Sequence, residues 1–456
     1  MKRDIYRKLM DWKSDKNAKP VLLLGARQTG KTYILKEFAK KEYRNLIYCN
    51  FEEDPQLQEL FKPDLRPARI LEQLSLYKKT DIMPEKDLLF FDEIQLSNGA
   101  LNSLKYFNEE APRYRIAAAG SLLGIKLSAP GSFPVGKVTM LSLYPMTFPE
   151  FLVALGETRY RLMLENPEKL EPFPLPFHEE LLTLLRTYYF VGGMPEAVRC
   201  FADSHSYDKV RSIQNNIMKA YIFDFAKHAP VSDIPKLSLL WDSIPAHLAR
   251  ENKKFTFSAL SKSARGRDYE NALRWLEDAG LIHLSYAVGS PQKPLTGFAD
   301  RSCFKVFALD VGLLAASASI SSDILSRQNE LFTTYNGAFV ENYAAQQLTA
   351  CPGASATADE ALSVSQQKLF YWKSSGHKAE IDFLYEDQKA VYPLEIKAGI
   401  NPKSKSMLSY DSKFNPALML RATLLNLKMN GRLLNIPLYA INCLRKYIEM
   451  GLREKS

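Results

Sequence analysis

Hydrophobic residues change their spacing several times along this chain, and each change predicts a different kind of element. Ile5, Leu9 and Trp12 recur at i, i+4 and i+7, the period of an amphipathic helix packing on the domain that follows. From residue 20 to about 155, short apolar runs alternate with helical patterns. The runs at 21–24, 45–51, 87–92, 114–119 and 137–143 read as strands, and 33–40, 67–78 and 98–110 read as helices. Strands separated by helices in this way imply an α/β fold with a parallel sheet covered on both faces.

Beyond this region the pattern loosens. Residues 157–178 are rich in proline and charge, including EPFPLPF, and read as a linker. In TYYFVGGMPEAV (187–198), Gly192-Gly193 followed by Pro195 makes a sharp turn into a helix, a structural rather than catalytic feature. Residues 255–287 predict a short first helix near Leu260. A second helix with Tyr269, Leu273 and Leu276 on its apolar face ends at Gly280, and the strand LIHLSYAV follows. A loop with Pro291, Pro294 and Gly297 then leads to a strand near 303–308. Helix, turn, helix and hairpin are the winged-helix layout. Last come an amphipathic helix at 336–351 and three strands at 369–374, 380–385 and 390–399.

At 456 residues the chain is too long for one ordinary core. The pattern divides it into 1–160 (an α/β core), 161–250 (a helical linker region), 251–315 (winged-helix-like) and 316–456 (a second α/β domain). Composition changes this picture little: 46% hydrophobic and 24% charged is globular. The net charge of +9 favours an acidic partner, nucleic acid first. Five scattered cysteines with no C-x-x-C argue against a zinc site or a disulfide framework. The basic N-terminus lacks a signal-peptide core, and no apolar stretch approaches the roughly 20 residues of a membrane span. A cytoplasmic protein is expected.

The candidate chemistry begins where the first strand ends. Residues 25–32, GARQTGKT, satisfy G-x-x-x-x-G-K-[ST] between the strand Val21-Leu22-Leu23-Leu24 and a helix. In that setting the backbone of Gly25, Ala26, Arg27, Gln28, Thr29 and Gly30 surrounds the phosphates of a nucleoside triphosphate. Lys31 reaches the β- and γ-phosphates, and Thr32 binds Mg²⁺. The following helix points its positive end at the same charge. LLFFDEIQ carries Asp92 and Glu93 to a strand's C-terminal edge. There Asp92 would hold Mg²⁺ and Glu93 would orient the attacking water. Standing alone, such a pair would be a solvated acidic strand end. YRIAAAGS ends in Gly120-Ser121, where Ser121 is either a γ-phosphate contact or a simple turn residue.

GARQTGKT, LLFFDEIQ and AAAGS, in this order, resemble AAA-type ATPases. The resemblance implies ATP and Mg²⁺ as cofactors, a parallel sheet of order 5-1-4-3-2 and a polar sensor at Ser121. It also implies an arginine supplied by a neighbouring subunit of a homo-oligomer. Relatives commonly carry Gly-Arg where Gly136-Lys137 stands here, and lysine lacks the planar fork of arginine. Lys126 is the other basic residue between Ser121 and Tyr144, and Arg113 and Arg115 are substitute candidates.

At the far end, GAFVENY contributes Glu341, EIDF contributes Asp382 and PLEIK contributes Glu395 and Lys397. Strand alternation puts the last two on one face. D-(x)n-E-x-K on adjacent strands resembles the PD-(D/E)XK, restriction-endonuclease-like fold. There, Asp382, Glu395 and Glu341 would hold one or two Mg²⁺ ions and Lys397 would act on the water. The bland alternative is a half-buried sheet with ordinary surface acids. Taken together, the motifs are similar to prokaryotic ATPases with an AAA-type core and a C-terminal domain of unknown function. Arg265, Arg267 and Arg274, near or on the second helix of the winged-helix pattern, are candidates to meet phosphates. Three functions stay open: a Mg²⁺-dependent ATPase acting with nucleic acid through a basic C-terminal region, its turnover gating the nuclease-like tail; a nucleotide-dependent protein-interaction switch with a degenerate nuclease fold; and an ATP-regulated metal-dependent nuclease.

Overall fold

A computed structural model describes residues 1–121, 134, 136–250, 254–260, 265–326, 337–351, 368–374, 376, 379–398 and 405–454. Lys126 lies outside the described residues. The N-terminal sheet contains β1 (Val21–Leu24), β2 (Asn45–Asn50), β3 (Asp87–Asp92), β4 (Arg115–Gly120) and β5 (Thr139–Ser142). All pairings are parallel and the order is β2-β3-β4-β1-β5, the 5-1-4-3-2 arrangement read from the other edge. The two faces follow strand alternation. Leu22 and Leu24 pack with Ile70, Leu74, Leu101 and Leu104 of the helices Pro67–Lys78 and Asn98–Glu110. Val21 and Leu23 pack on the opposite side, with Ile34 and Phe38 of helix Lys31–Glu42 and with Ile5, Leu9 and Trp12 of helix Ile5–Ser14. Burial on both faces explains why these strands are apolar throughout.

The stretch 157–178 is not a free linker. It holds the helix Thr158–Glu165 and the start of helix Leu175–Val191, and it buries Leu164 and Leu170. Asn426 pins it to the C-terminal region: Phe173 N–H donates to Asn426 Oδ1 (2.9 Å), and Asn426 Nδ2 donates to the Phe173 carbonyl (2.7 Å). Proline and charge marked the solvent side of this segment, and its isolated leucines anchor it. Helices Pro195–Ser204, Tyr207–His228 and Ile234–Leu248 complete the middle.

The Gly192-Gly193 turn is a packing device. A Cβ at Gly192 would lie 2.1 Å from Asp310 Oδ1, and one at Gly193 would lie 2.2 Å from the Met146 carbonyl. Buried Asp310 instead accepts N–H groups from Gly193, Gly312 and Leu313 and the Gln346 amide. This network ties the exit of the first domain to the helix Ala338–Ala350. One buried cluster accordingly runs from Met146 through the helices of the middle to Ile448.

The region after residue 250 differs from its expected layout. The first helix is a single 3-10 turn, Phe257–Ala259, and 261–264 fall outside the described residues. Helix Gly266–Asp278 is followed by antiparallel β6 (Ile282–Val288) and β7 (Ala299–Ala308). This hairpin does not stand alone. β6 also pairs in parallel with β8 (Leu369–Lys373), and β8 pairs with β9 (Glu380–Ile381). Nearly every residue of β6 is buried, so it needs strands on both edges.

The expected strand 380–385 breaks at Asp382. β9 stays with β8, while β10 (Phe383–Glu386) joins a second sheet with β11 (Val391–Lys397), β12 (Met419–Thr423), β13 (Lys428–Asn430) and β14 (Leu433–Pro437). Asp382 therefore sits where the chain crosses from one sheet to the other.

Candidate functional site

The GARQTGKT loop turns tightly between β1 and helix Lys31–Glu42. Gly25 lies against the neighbouring strand, and a Cβ there would be 2.2 Å from the Leu143 carbonyl. Gly30 opens the helix at φ +93°, a left-handed conformation that glycine adopts without strain. Thr29 Oγ1 donates to the Ala26 carbonyl at 2.9 Å and fixes the loop's curl. Lys31 Nζ donates to the carbonyls of Gly25 (3.0 Å) and Ala26 (2.8 Å). Burial lowers its pKa to about 8, although Glu93 and Asp92 pull it upward. The glycine cradle, the buried ammonium and Thr32 in the first helical turn are the donor set that a triphosphate and its Mg²⁺ require, and the residues fit both.

Distant segments hold the loop from two sides. Arg3 donates to the Thr29 carbonyl (3.0 Å) and the Tyr144 carbonyl (2.6 Å) and pairs with Glu150 (3.0 Å). From the middle, helix Tyr207–His228 grips Arg27. Asp224 Oδ1 pairs with its guanidinium, His228 Nε2 lies 3.2 Å from it, and Tyr221 Oη donates to its carbonyl at 3.0 Å. Lys227 adds a bridge to Glu52 at 2.9 Å. None of these partners was legible as a site residue, because they lie far from their loop contacts in sequence, Arg3 26 positions from Thr29 and His228 201 from Arg27, and belong to no motif.

The sheet's C-terminal edge brings in the acids. β4 pairs with β1 so that Gly120 lies opposite Leu24, which sets Ser121 beside the start of the loop. Asp92, 2% exposed, accepts Tyr48 Oη at 2.9 Å and the Glu93 N–H at 3.1 Å. Tyr48 was missed by sequence reasoning, and nothing in its local pattern marks it. Glu93 holds the left-handed conformation (φ +50°) that non-glycine residues rarely adopt, and its carboxylate accepts from Gln95 at 2.5 Å. The arginine candidates lie elsewhere. Arg113 and Arg115 stand at the opposite end of β4, paired with Glu85 and with the Asp15 and Ala18 carbonyls. Lys137 pairs with Glu109 at 2.9 Å.

Some 300 residues further on, a second cluster forms. Glu341 comes from helix Ala338–Ala350, Asp382 from the β9–β10 junction, and Glu395 and Lys397 from β11. The structure brings all four together. Lys397 Nζ lies 3.1 Å from Glu395, and Asp382 Oδ2 accepts the Ile396 N–H at 2.8 Å. Burial and the Glu341 charge raise the Asp382 pKa to about 7, against the pull of Lys305 and Lys397. Lys305 and Glu380 also belong to this cluster and were not anticipated. Lys305 Nζ lies 2.6 Å from Glu380 and 3.8 Å from Glu341. One signal did exist: Lys305 is a lone charge inside the apolar strand run CFKVFAL. Among the described residues, no group of three or more His, Cys, Asp or Glu is arranged to hold a metal ion. No helix among them is long and apolar enough to cross a membrane.

Residues 17–152 match the family described as AAA domain. The N-terminal part of the chain is an AAA-type P-loop ATPase domain. Residues 182–324 and 336–441 match two families each described as a domain of unknown function, DUF8612 and DUF4143. Among curated proteins none matches the chain. Similar solved structures include a Walker-type ATPase of Pyrococcus abyssi, at 14% identity and TM-score 0.43 over 69% of this chain and 95% of that one. The Aeropyrum pernix ORC1 protein in complex with DNA has 14% identity and TM-score 0.30 over 71% and 92%. The Thermotoga maritima RuvB Holliday junction branch migration motor has 16% identity and TM-score 0.29 over 62% and 89%.

Proposed function

We propose that this chain is a Mg²⁺-dependent ATPase of the cytoplasm that works with nucleic acid and assembles with further copies of itself. The observation that carries the catalytic half is the convergence of Lys31, Asp92 and Glu93. Both acids act on the buried lysine strongly enough to offset part of its desolvation. Bound ATP with Mg²⁺ supplies the electrophilic γ-phosphorus. Around it, Gly25 to Gly30 offer backbone N–H groups and Lys31 neutralises phosphate charge. Thr32 and Asp92 hold the ion, Asp92 steadied by Tyr48, while Glu93 orients water and Ser121 contacts the γ-phosphate.

The nucleic-acid half rests on charge and exposure. The chain carries +9, and Arg267 and Arg274 expose most of their side chains on helix Gly266–Asp278. In a winged-helix reading of 251–315 these residues and Arg265 meet backbone phosphates. The tail, 316–456, is read as nuclease-like, with ATP turnover coupled to it through the middle. The decisive assay is ATP hydrolysis with and without DNA or RNA, with Lys31→Ala and Glu93→Gln as controls. Stimulation by nucleic acid, abolished in both variants, is expected. If nucleic acid neither binds at physiological salt nor alters turnover, the reading fails.

A further inference from the structure

The nuclease-like reading of the tail requires its acids to accept a divalent ion, and their donors argue otherwise. Mg²⁺ needs several oxygens at about 2.0–2.1 Å in near-octahedral array. Here Lys305 Nζ stands 2.6 Å from Glu380 Oε1 and 3.8 Å from Glu341 Oε2. Lys397 Nζ stands 3.1 Å from one oxygen of Glu395, Oε1, and the Ile396 N–H occupies one oxygen of Asp382. These are ammonium and amide distances. The residues present do not fit the ion.

Lys305 itself is unusual. Its side chain is 2% exposed, and its ring neighbour Tyr371 lies 4.9 Å below the ammonium. A buried lysine ordinarily loses its proton to desolvation. Glu341, Glu380 and Asp382 together reverse that and push its pKa above the usual lysine value. It also comes from β7, inside the stretch matched by one domain of unknown function, whereas Glu341, Asp382, Glu395 and Lys397 lie inside the stretch matched by the other.

We propose that Lys305 is the resident cation of this cluster, its ammonium standing where a catalytic divalent ion would stand, so that the tail of this chain binds no such ion. The cluster then joins the middle to the tail by charge: Glu341 on a helix, Glu380 and Asp382 at a sheet crossing, and Lys305 on β7, the edge strand of the sheet that ends in β9. Removing the ammonium leaves Glu341, Glu380, Asp382 and Glu395 with Lys397 alone, a set with the charge and oxygens to recruit a divalent ion.

The inference rests on the nuclease-like reading, and one titration separates the two. Full-length protein is titrated with Mn²⁺ without nucleotide, and free Mn²⁺ is followed by EPR. Wild type is expected to bind no more tightly than Asp382→Asn or Glu395→Gln. Lys305→Met is expected to gain one site at least about tenfold tighter than wild type, and adding Glu395→Gln should remove it. If Lys305→Met folds weakly, a rise in its thermal midpoint with Mn²⁺ that wild type lacks is the same gain. A tight wild-type site abolished by Asp382→Asn or Glu395→Gln overturns the proposal and keeps the nuclease-like reading. Failure of both wild type and a folded Lys305→Met to bind overturns both.

Discussion

The nucleotide loop and the tail cluster both gather charged groups at the ends of strands, yet they are built in opposite ways. The loop's donors come from eight consecutive residues, and its ammonium, Lys31, leans on two backbone carbonyls that a phosphate can replace. In the second cluster, four separate stretches contribute, and the ammonium of Lys305 already has carboxylate partners. A cation held by neutral carbonyls remains available to an anionic ligand. A buried cation held by carboxylates is satisfied, and freeing it exposes uncompensated charge. The same residue types thus make an open site in one place and a closed one in the other.

The largest effect that would break this comparison lies in the loop. Lys31→Ala and Glu93→Gln should each lower ATP turnover by about 10²–10³-fold, with Glu93→Gln retaining nucleotide binding. Phosphate release measured beside fluorescent-nucleotide binding separates the two. Gly25→Ala comes next. Its Cβ would overlap the Leu143 carbonyl, so a loss of roughly 1–3 kcal/mol in unfolding free energy is expected, with weakened ATP binding.

For the tail, Asp382→Asn should stabilise the protein above neutrality. The folded-state pKa, about 7, lies above the ordinary aspartate value of 3.8. Unfolding therefore releases a proton, and the associated stability is full below about pH 4 and lost as pH rises through 7. The variant should melt a few degrees higher at pH 8 and unchanged near pH 4. A variant that melts lower at pH 8 would show that the Asp382 charge is needed.

Smaller effects sharpen how the loop is held. Asp224 sets a negative charge beside the loop through a partly exposed ion pair with Arg27, an interaction worth up to about 1 kcal/mol, and that charge would oppose a bound triphosphate. Asp224→Asn should therefore tighten ATP binding by no more than about fivefold in equilibrium titrations. Lys31 supplies the last effect. Its pKa of about 8 rises further beside phosphate, so ATP binding takes up a proton above that pH. Affinity should be flat below about pH 7 and fall by at most about tenfold per unit above 8, and Lys31→Arg should flatten the slope.

Legibility differed between the two regions for the same reason. The helices 67–78 and 98–110 and all five strands of the first sheet stand where hydrophobic spacing placed them, because each is a local element with a complete buried face. Tail strands 419–423, 428–430 and 433–437 went unread, being only three to five residues long. The break at Asp382 is invisible in EIDFLY, since β9 and β10 continue one another in sequence and part only because different neighbours pair with them. Phe173 misled for a related reason: its backbone is satisfied by Asn426, more than 250 residues away.

By itself, then, the sequence determined the first domain's strands, the nucleotide loop and the candidate residues of both sites, because spacing and local backbone geometry act over a few residues. Only the tertiary structure decided what those residues meet. Asp224 on Arg27, Tyr48 on Asp92 and Lys305 among the tail acids depend on segments brought together by core packing, and burial together with the neighbouring charges shifts the proton affinity of Lys31, Asp382 and Lys305.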